Sequence, residues 1–126
     1  MNRGELPADV RRFILTSIPS VPFLEAVLLL RAEPKGPWDA PSLARRLYVT
    51  ERTSAELLAQ LEDAGIAARA GAAGPGSYAP EPELRALLDR LAEAYAADLV
   101  AVTDLIHSRI DRRAQQFADA FRFRKE

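Results

Sequence analysis

The stretch Phe23-Leu24-Glu25-Ala26-Val27-Leu28-Leu29-Leu30 constrains the fold more than any other part of the chain. It is apolar nearly all round, and a helix of that kind is buried on most sides. Whatever else the chain forms must therefore wrap around it. Pro19 and Pro22 punctuate the approach and Ser20 stands where an N-cap belongs, which predicts a helix from Val21 to Ala32. The run is far too short to span a bilayer, and Met1–Glu5 has no signal-peptide pattern. These features predict a soluble, cytoplasmic protein with no membrane partner. With 126 residues, one domain over 1–126 can bury a proper core without staples.

Several chemistries drop out on residue types alone. Cysteine is absent, which removes disulfides, thiolate metal sites and cysteine nucleophiles. His107 is the only histidine, so neither a histidine-rich metal site nor a serine–histidine triad is expected. Its neighbours Asp104 and Asp111 fit a solvated helix face better than a ligand set. The chain is accordingly not expected to be an enzyme or to carry a cofactor or metal. Net charge is −1, but residues 1–108 carry 11 Lys+Arg against 15 Asp+Glu, and residues 109–126 carry 6 against 3. Cations of that tail suit a helix C-terminus; a nucleic-acid arm is the sharper alternative.

The remaining pattern is mainly helical. Leu6, Val10, Phe13, Ile14 and Ile18 recur at helical spacing, predicting a first helix over about 7–17. Glu33-Pro34-Lys35-Gly36-Pro37 breaks the chain after the apolar helix. Trp38 follows, and is expected to pack a hairpin against the helices rather than to wall a ligand site. Asp39 is the expected cap of a helix reaching Tyr48, with Leu43, Ala44 and Leu47 inward and Arg45 and Arg46 outward. Thr50 caps the next, Glu51 to Asp63, with Leu57, Leu58 and Leu61 inward and Gly65 ending it in a left-handed conformation. Two short runs around Gly71–Gly76 then predict a β-hairpin.

From Glu83 to about His107 a single helix of ~35 Å is expected. Leu84, Leu88, Leu91, Tyr95, Leu99, Val102, Ile106 and Ile110 step along one face of it, and Tyr95 is read as packing rather than as an effector wall. A terminal helix over about 111–121 should dock Phe117 and Phe121. Because this stripe exceeds what one small core covers, Leu88, Leu91, Tyr95, Leu99, Val102, Ile106, Phe117 and Phe121 are expected in a homodimer interface.

The stretch Ser42-Leu43-Ala44-Arg45-Arg46-Leu47-Tyr48-Val49-Thr50-Glu51-Arg52-Thr53, continued by Leu57-Leu58-Ala59-Gln60-Leu61-Glu62-Asp63-Ala64-Gly65-Ile66, resembles the winged helix-turn-helix of bacterial transcriptional regulators of the MarR/ArsR type. The likeness covers residues 42–66 in motif and most of the chain in architecture. It implies a mainly α fold with a small β-hairpin: a winged core over 20–80, and flanking helices over 5–18 and 83–121 that interlock as a dimer. It also implies a homodimeric transcription regulator that binds double-stranded DNA. The recognition helix would then place Thr50, Arg52, Thr53 and Gln60 towards bases, while Arg45, Arg46 and Arg69 meet phosphates. Glu51, Glu56, Glu62 and Asp63 on that helix, and a 71–80 loop without a basic residue, point the other way. They favour the alternative of a winged-helix module that binds a protein partner.

Overall fold

The apolar stretch forms α2 (Val21–Ala32), preceded by α1 (Ala8–Ser17). A computed structural model describes residues 6–69, 71 and 74–108 of the chain. The architecture is mainly helical. After α2 come α3 (Ala40–Leu47), α4 (Glu51–Asp63), the antiparallel pair β1 (Ala67–Arg69) and β2 (Gly76–Tyr78), α5 (Pro82–Ala97) and α6 (Leu99–Ser108). Among the described residues no single helix is long and apolar enough to cross a membrane. The contacts divide the chain into two compact units, Pro22–Ala92 and a flanking unit that holds described residues 6–21 and 93–108.

Within Pro22–Ala92 the core is built on α2, whose Phe23, Leu24, Ala26, Val27 and Leu30 are all buried. Leu43 and Ala44 of α3, Leu57, Leu58 and Leu61 of α4, and Leu88 and Leu91 of α5 complete its helical part. Local chemistry sets each boundary. Asp39 Oδ1 accepts from the Ser42 N–H at 2.8 Å while Ser42 Oγ accepts from the Asp39 N–H at 3.0 Å, a reciprocal box that starts α3. Thr50 Oγ1 accepts from the Thr53 N–H at 3.0 Å to start α4. That helix stops at Gly65, where φ is +76°. The Gly65 N–H donates to Glu62 O at 3.0 Å and the Ile66 N–H to Leu61 O at 2.9 Å, which satisfies two terminal carbonyls.

The hairpin is short, with Ala67, Ala68 and Arg69 opposite Tyr78, Ser77 and Gly76. Trp38 joins its edge: its N–H donates to Gly76 O at 3.0 Å, and the Gly76 N–H returns to Trp38 O at 2.6 Å. Its indole is buried, as expected of a residue that packs hairpin against helices. Two contacts tie α5 to this unit. The Arg85 guanidinium lies 5.2 Å from the centre of the Tyr78 ring, and Arg31 Nε of α2 donates to Asp89 Oδ1 at 2.8 Å.

The flanking unit buries Val10, Ile14 and Ile18 on one side of the sequence and Val102 and Ile106 on the other. Here the expected single helix from Glu83 to His107 is corrected. It is interrupted at Asp98, which separates α5 from α6. The cause is a cap: Asp98 Oδ1 accepts from the Ala101 N–H at 3.0 Å, three residues on, while Asp98 O accepts from the Val102 N–H at 3.3 Å. Replacing Asp98 with alanine should therefore cost about 0.5–2 kcal/mol, read by urea denaturation. No loss would mean that the helix passes through this point without a cap.

The residues expected at a dimer interface differ in burial. Leu88, Leu91, Val102 and Ile106 are fully buried within the chain itself. Tyr95 is half-buried. Leu99 and Val100 are exposed, at 51% and 62%. Phe117, Phe121, the expected terminal helix and the basic segment 109–126 lie outside the described residues.

Candidate nucleic-acid interface

The exposed side of α4 is a continuous stripe of Glu51, Arg52, Ala55, Glu56, Ala59, Gln60 and Asp63. These residues alternate in steps of one and three, which puts them on one helix face. Leu57, Leu58 and Leu61 occupy the opposite face and anchor it. Of the residues expected to contact DNA, Arg52 and Gln60 lie on the stripe and Thr50 and Thr53 at its N-terminal end. The Thr50 hydroxyl is committed to the cap: it accepts from the Thr53 N–H and donates to Thr53 Oγ1 at 3.0 Å. Thr50 thus holds the turn, and Thr53 keeps its own hydroxyl proton free to point outward.

Between α3 and α4 the backbone makes a sharp corner at Tyr48, whose φ of 58° and ψ of 44° are left-handed. Its side chain is 95% exposed. The spacing gave this residue only as part of a connection, and nothing in it marked so open a ring.

The arginines are arranged differently from a plain phosphate-binding row. Arg52 Nε lies 3.6 Å from Glu56 Oε1, one turn along α4, with the arginine side chain 91% exposed. Arg69 on β1 pairs with Glu62. Arg46 Nη2 donates to Glu33 Oε2 at 2.6 Å and its guanidinium lies 5.5 Å from the centre of the Trp38 ring. Arg45 is exposed and makes no salt bridge among the described residues. The whole Pro22–Ala92 unit carries 8 Lys+Arg against 10 Asp+Glu, a net of −2.

No family model, curated protein or solved structure matches this chain.

Sequence reasoning missed one feature. Glu33, Pro37, Trp38, Ser42, Arg45 and Arg46 line a cleft of about 270 Å³ between the 33–38 turn and α3. Its floor is rigidly built. The Trp38 Nε1–H donates to Glu33 O at 3.0 Å, and the Tyr78 N–H donates to Pro34 O at 3.1 Å. Gly36 has φ +55°, and a Cβ there would stand 2.6 Å from Trp38 N, so the turn admits only glycine. The Pro34-Lys35-Gly36-Pro37 signal announced a turn, but not that α3 would close over it.

The Glu33–Arg46 pair also responds to acid. The Arg46 hydrogen bond holds the Glu33 carboxyl below the usual carboxylate range. Its contribution to stability is present above the ordinary carboxylate pKa and is lost as pH falls through the lowered value. Trp38 is the only tryptophan and lies against Arg46, so its emission should change across that acidic window. The same titration of a Glu33→Gln variant should be flat; an identical transition there would place its cause elsewhere.

Among the described residues no group of three His, Cys, Asp or Glu side chains could hold a metal ion. His107 is exposed.

Proposed function

We propose that the chain is a homodimeric DNA-binding transcription regulator of the winged helix-turn-helix type, acting in the cytoplasm without catalysis. The observation that carries this reading is the stripe on α4. A helix anchored by its apolar side, and open from its capped first turn along the other, suits the major groove. The order α2, Trp38 edge, α3, tight corner, α4, β1, β2 supports the same reading, because the edge residue and hairpin together make a wing-like sheet. On this reading Arg52 would pair with guanine, Gln60 with adenine, and Glu56 with the amino group of cytosine. Arg45 is the cation best placed for a backbone phosphate.

Charge then dictates how such binding behaves. Exposed ion pairs are worth about 0–1 kcal/mol, so Arg52 can leave Glu56 for a base. Arg46 and Arg69 are already paired with Glu33 and Glu62, so few phosphates would be neutralised by this unit and affinity should depend only weakly on salt. The test is selection of duplexes from a random library, followed by gel shift. Arg52→Ala should cost about 1–3 kcal/mol on the selected sequence and little on unrelated DNA. Failure to enrich any sequence would overturn the reading.

A second reading has its own observation. Glu51, Glu56 and Asp63 outnumber Arg52 on the exposed stripe, which favours a basic protein partner over DNA. Reversing Glu56 to lysine separates the two. Under the first reading it should raise retention of DNA of any sequence while losing the preference that Glu56 gives for cytosine, and under the second it should abolish partner binding.

A further inference from the structure

The cleft between the 33–38 turn and α3 is not used by the groove-facing stripe, and two arginines line it. Arg46 is held at both ends, by Glu33 Oε2 at 2.6 Å and by the face of Trp38 at 5.5 Å. Only one of its N–H groups is taken up by the carboxylate, so several donors remain on a guanidinium that the carboxylate and the indole face orient. Arg45, the next residue, lines the same cleft and makes no salt bridge among the described residues. Ser42 Oγ is engaged in the α3 cap, and it fixes the helix turn that carries both arginines. Two carboxylates oppose a bound anion: Glu33 in the cleft and Asp39 at its edge, the latter within reach of Arg45's field. The Ser42 N–H satisfies an Asp39 oxygen without neutralising its charge, so Arg45 is offset in part by Asp39 but keeps guanidinium donors that no salt bridge among the described residues takes up.

We propose that this cleft binds the phosphate group of a small ligand between Arg45 and Arg46, and that its occupancy controls engagement of DNA. Guanidinium groups match phosphate oxygens in geometry and hydrogen-bonding, and a cleft of about 270 Å³ admits a phosphate with a small organic group. The control follows from shared residues: Arg45 cannot serve a ligand phosphate and a backbone phosphate together. This second half rests on the DNA-binding reading; the first half does not.

The two halves are tested separately. Inorganic phosphate is titrated at constant ionic strength while the emission of Trp38 is followed. A saturable change is expected, with none from chloride at equal ionic strength. Arg45→Ala should weaken binding by about tenfold or more, since a charge-assisted contact is lost. Glu33→Gln should instead tighten it, because the competing carboxylate is gone. An unsaturable response, an equal response to chloride, or an unchanged Arg45→Ala titration would overturn the site. A gel shift of the selected duplex is then run with phosphate and with chloride at equal ionic strength. Loss of the shift with phosphate alone supports the control, and an unchanged shift overturns it. If no duplex binds at all, the DNA-binding reading fails while the Trp38 titration still reports on the cleft. The source of the group is read in the same way. Emission that responds to duplex DNA but not to inorganic phosphate assigns the seat to a backbone phosphate and overturns the small ligand.

Discussion

Replacing Trp38 with alanine is expected to destabilise the Pro22–Ala92 unit by about 3–5 kcal/mol, the usual cost of removing a buried large aromatic side chain. The effect should sit at the upper end because the residue serves three structures together. Its backbone borders β2 through Gly76, its indole N–H holds Glu33 O, and its ring carries Arg46. The backbone pair survives the substitution, but the turn loses its indole hydrogen bond and Arg46 loses its platform. Trp38→Phe keeps much of the volume and forfeits the N–H, so it should cost distinctly less. Urea denaturation followed by far-ultraviolet circular dichroism measures both. A Trp38→Ala chain as stable as the parent would mean that the indole is not a core group.

An aspartate at Val102 or at Leu99 should have opposite consequences, although the two lie three residues apart. Val102 is fully buried, so Val102→Asp places a charge in an apolar site. Such changes exceed about 4 kcal/mol when the charge stays unpaired, enough to unfold a domain of ordinary stability. Leu99 is 51% exposed and follows the Asp98 cap, in the first turn of α6. An acidic residue is welcome there, where the helix dipole is positive, so Leu99→Asp should change chain stability by less than about 1 kcal/mol. If Leu99 and Val100 form the contact between two copies, the same substitution should convert a dimer to a monomer. Light scattering and thermal melting on both variants decide the matter. A folded Leu99→Asp chain that remains dimeric would remove this contact from the dimer.

The elements that were legible in the sequence are those whose causes are local. Asp39, Thr50 and Gly65 announce their helix ends through side chains or backbone freedom acting within a few residues, and α3 and α4 begin and end beside them. The apolarity of α2 is equally local and correctly announced its burial. What escaped depends on distance along the chain or on competition between signals. Arg31 finds Asp89 and Glu33 finds Arg46 only because the fold brings them together, so a row of outward arginines looked more available than it is. Asp98 was hidden because leucine, alanine and valine continue the helical period on both sides of it. A single carboxylate three residues before a free backbone N–H outweighed that period. The cleft escaped for a related reason: its two walls come from a turn and a helix whose approach no residue pattern specifies.

Tyr48 has a consequence for experiment as well as for recognition. A left-handed backbone costs an ordinary residue about 1–2 kcal/mol, and a ring that is 95% exposed returns almost nothing to the fold that holds it. Altering that side chain should therefore leave the core untouched. The chain has no cysteine, so Tyr48→Cys would create one addressable thiol at the corner between α3 and α4. A dye or spin label attached there stands at the edge of the α4 stripe and next to the arginines of the cleft. It would register the arrival of a nucleic acid, a protein or a small anion as a change in its own motion, before the identity of any of them is known.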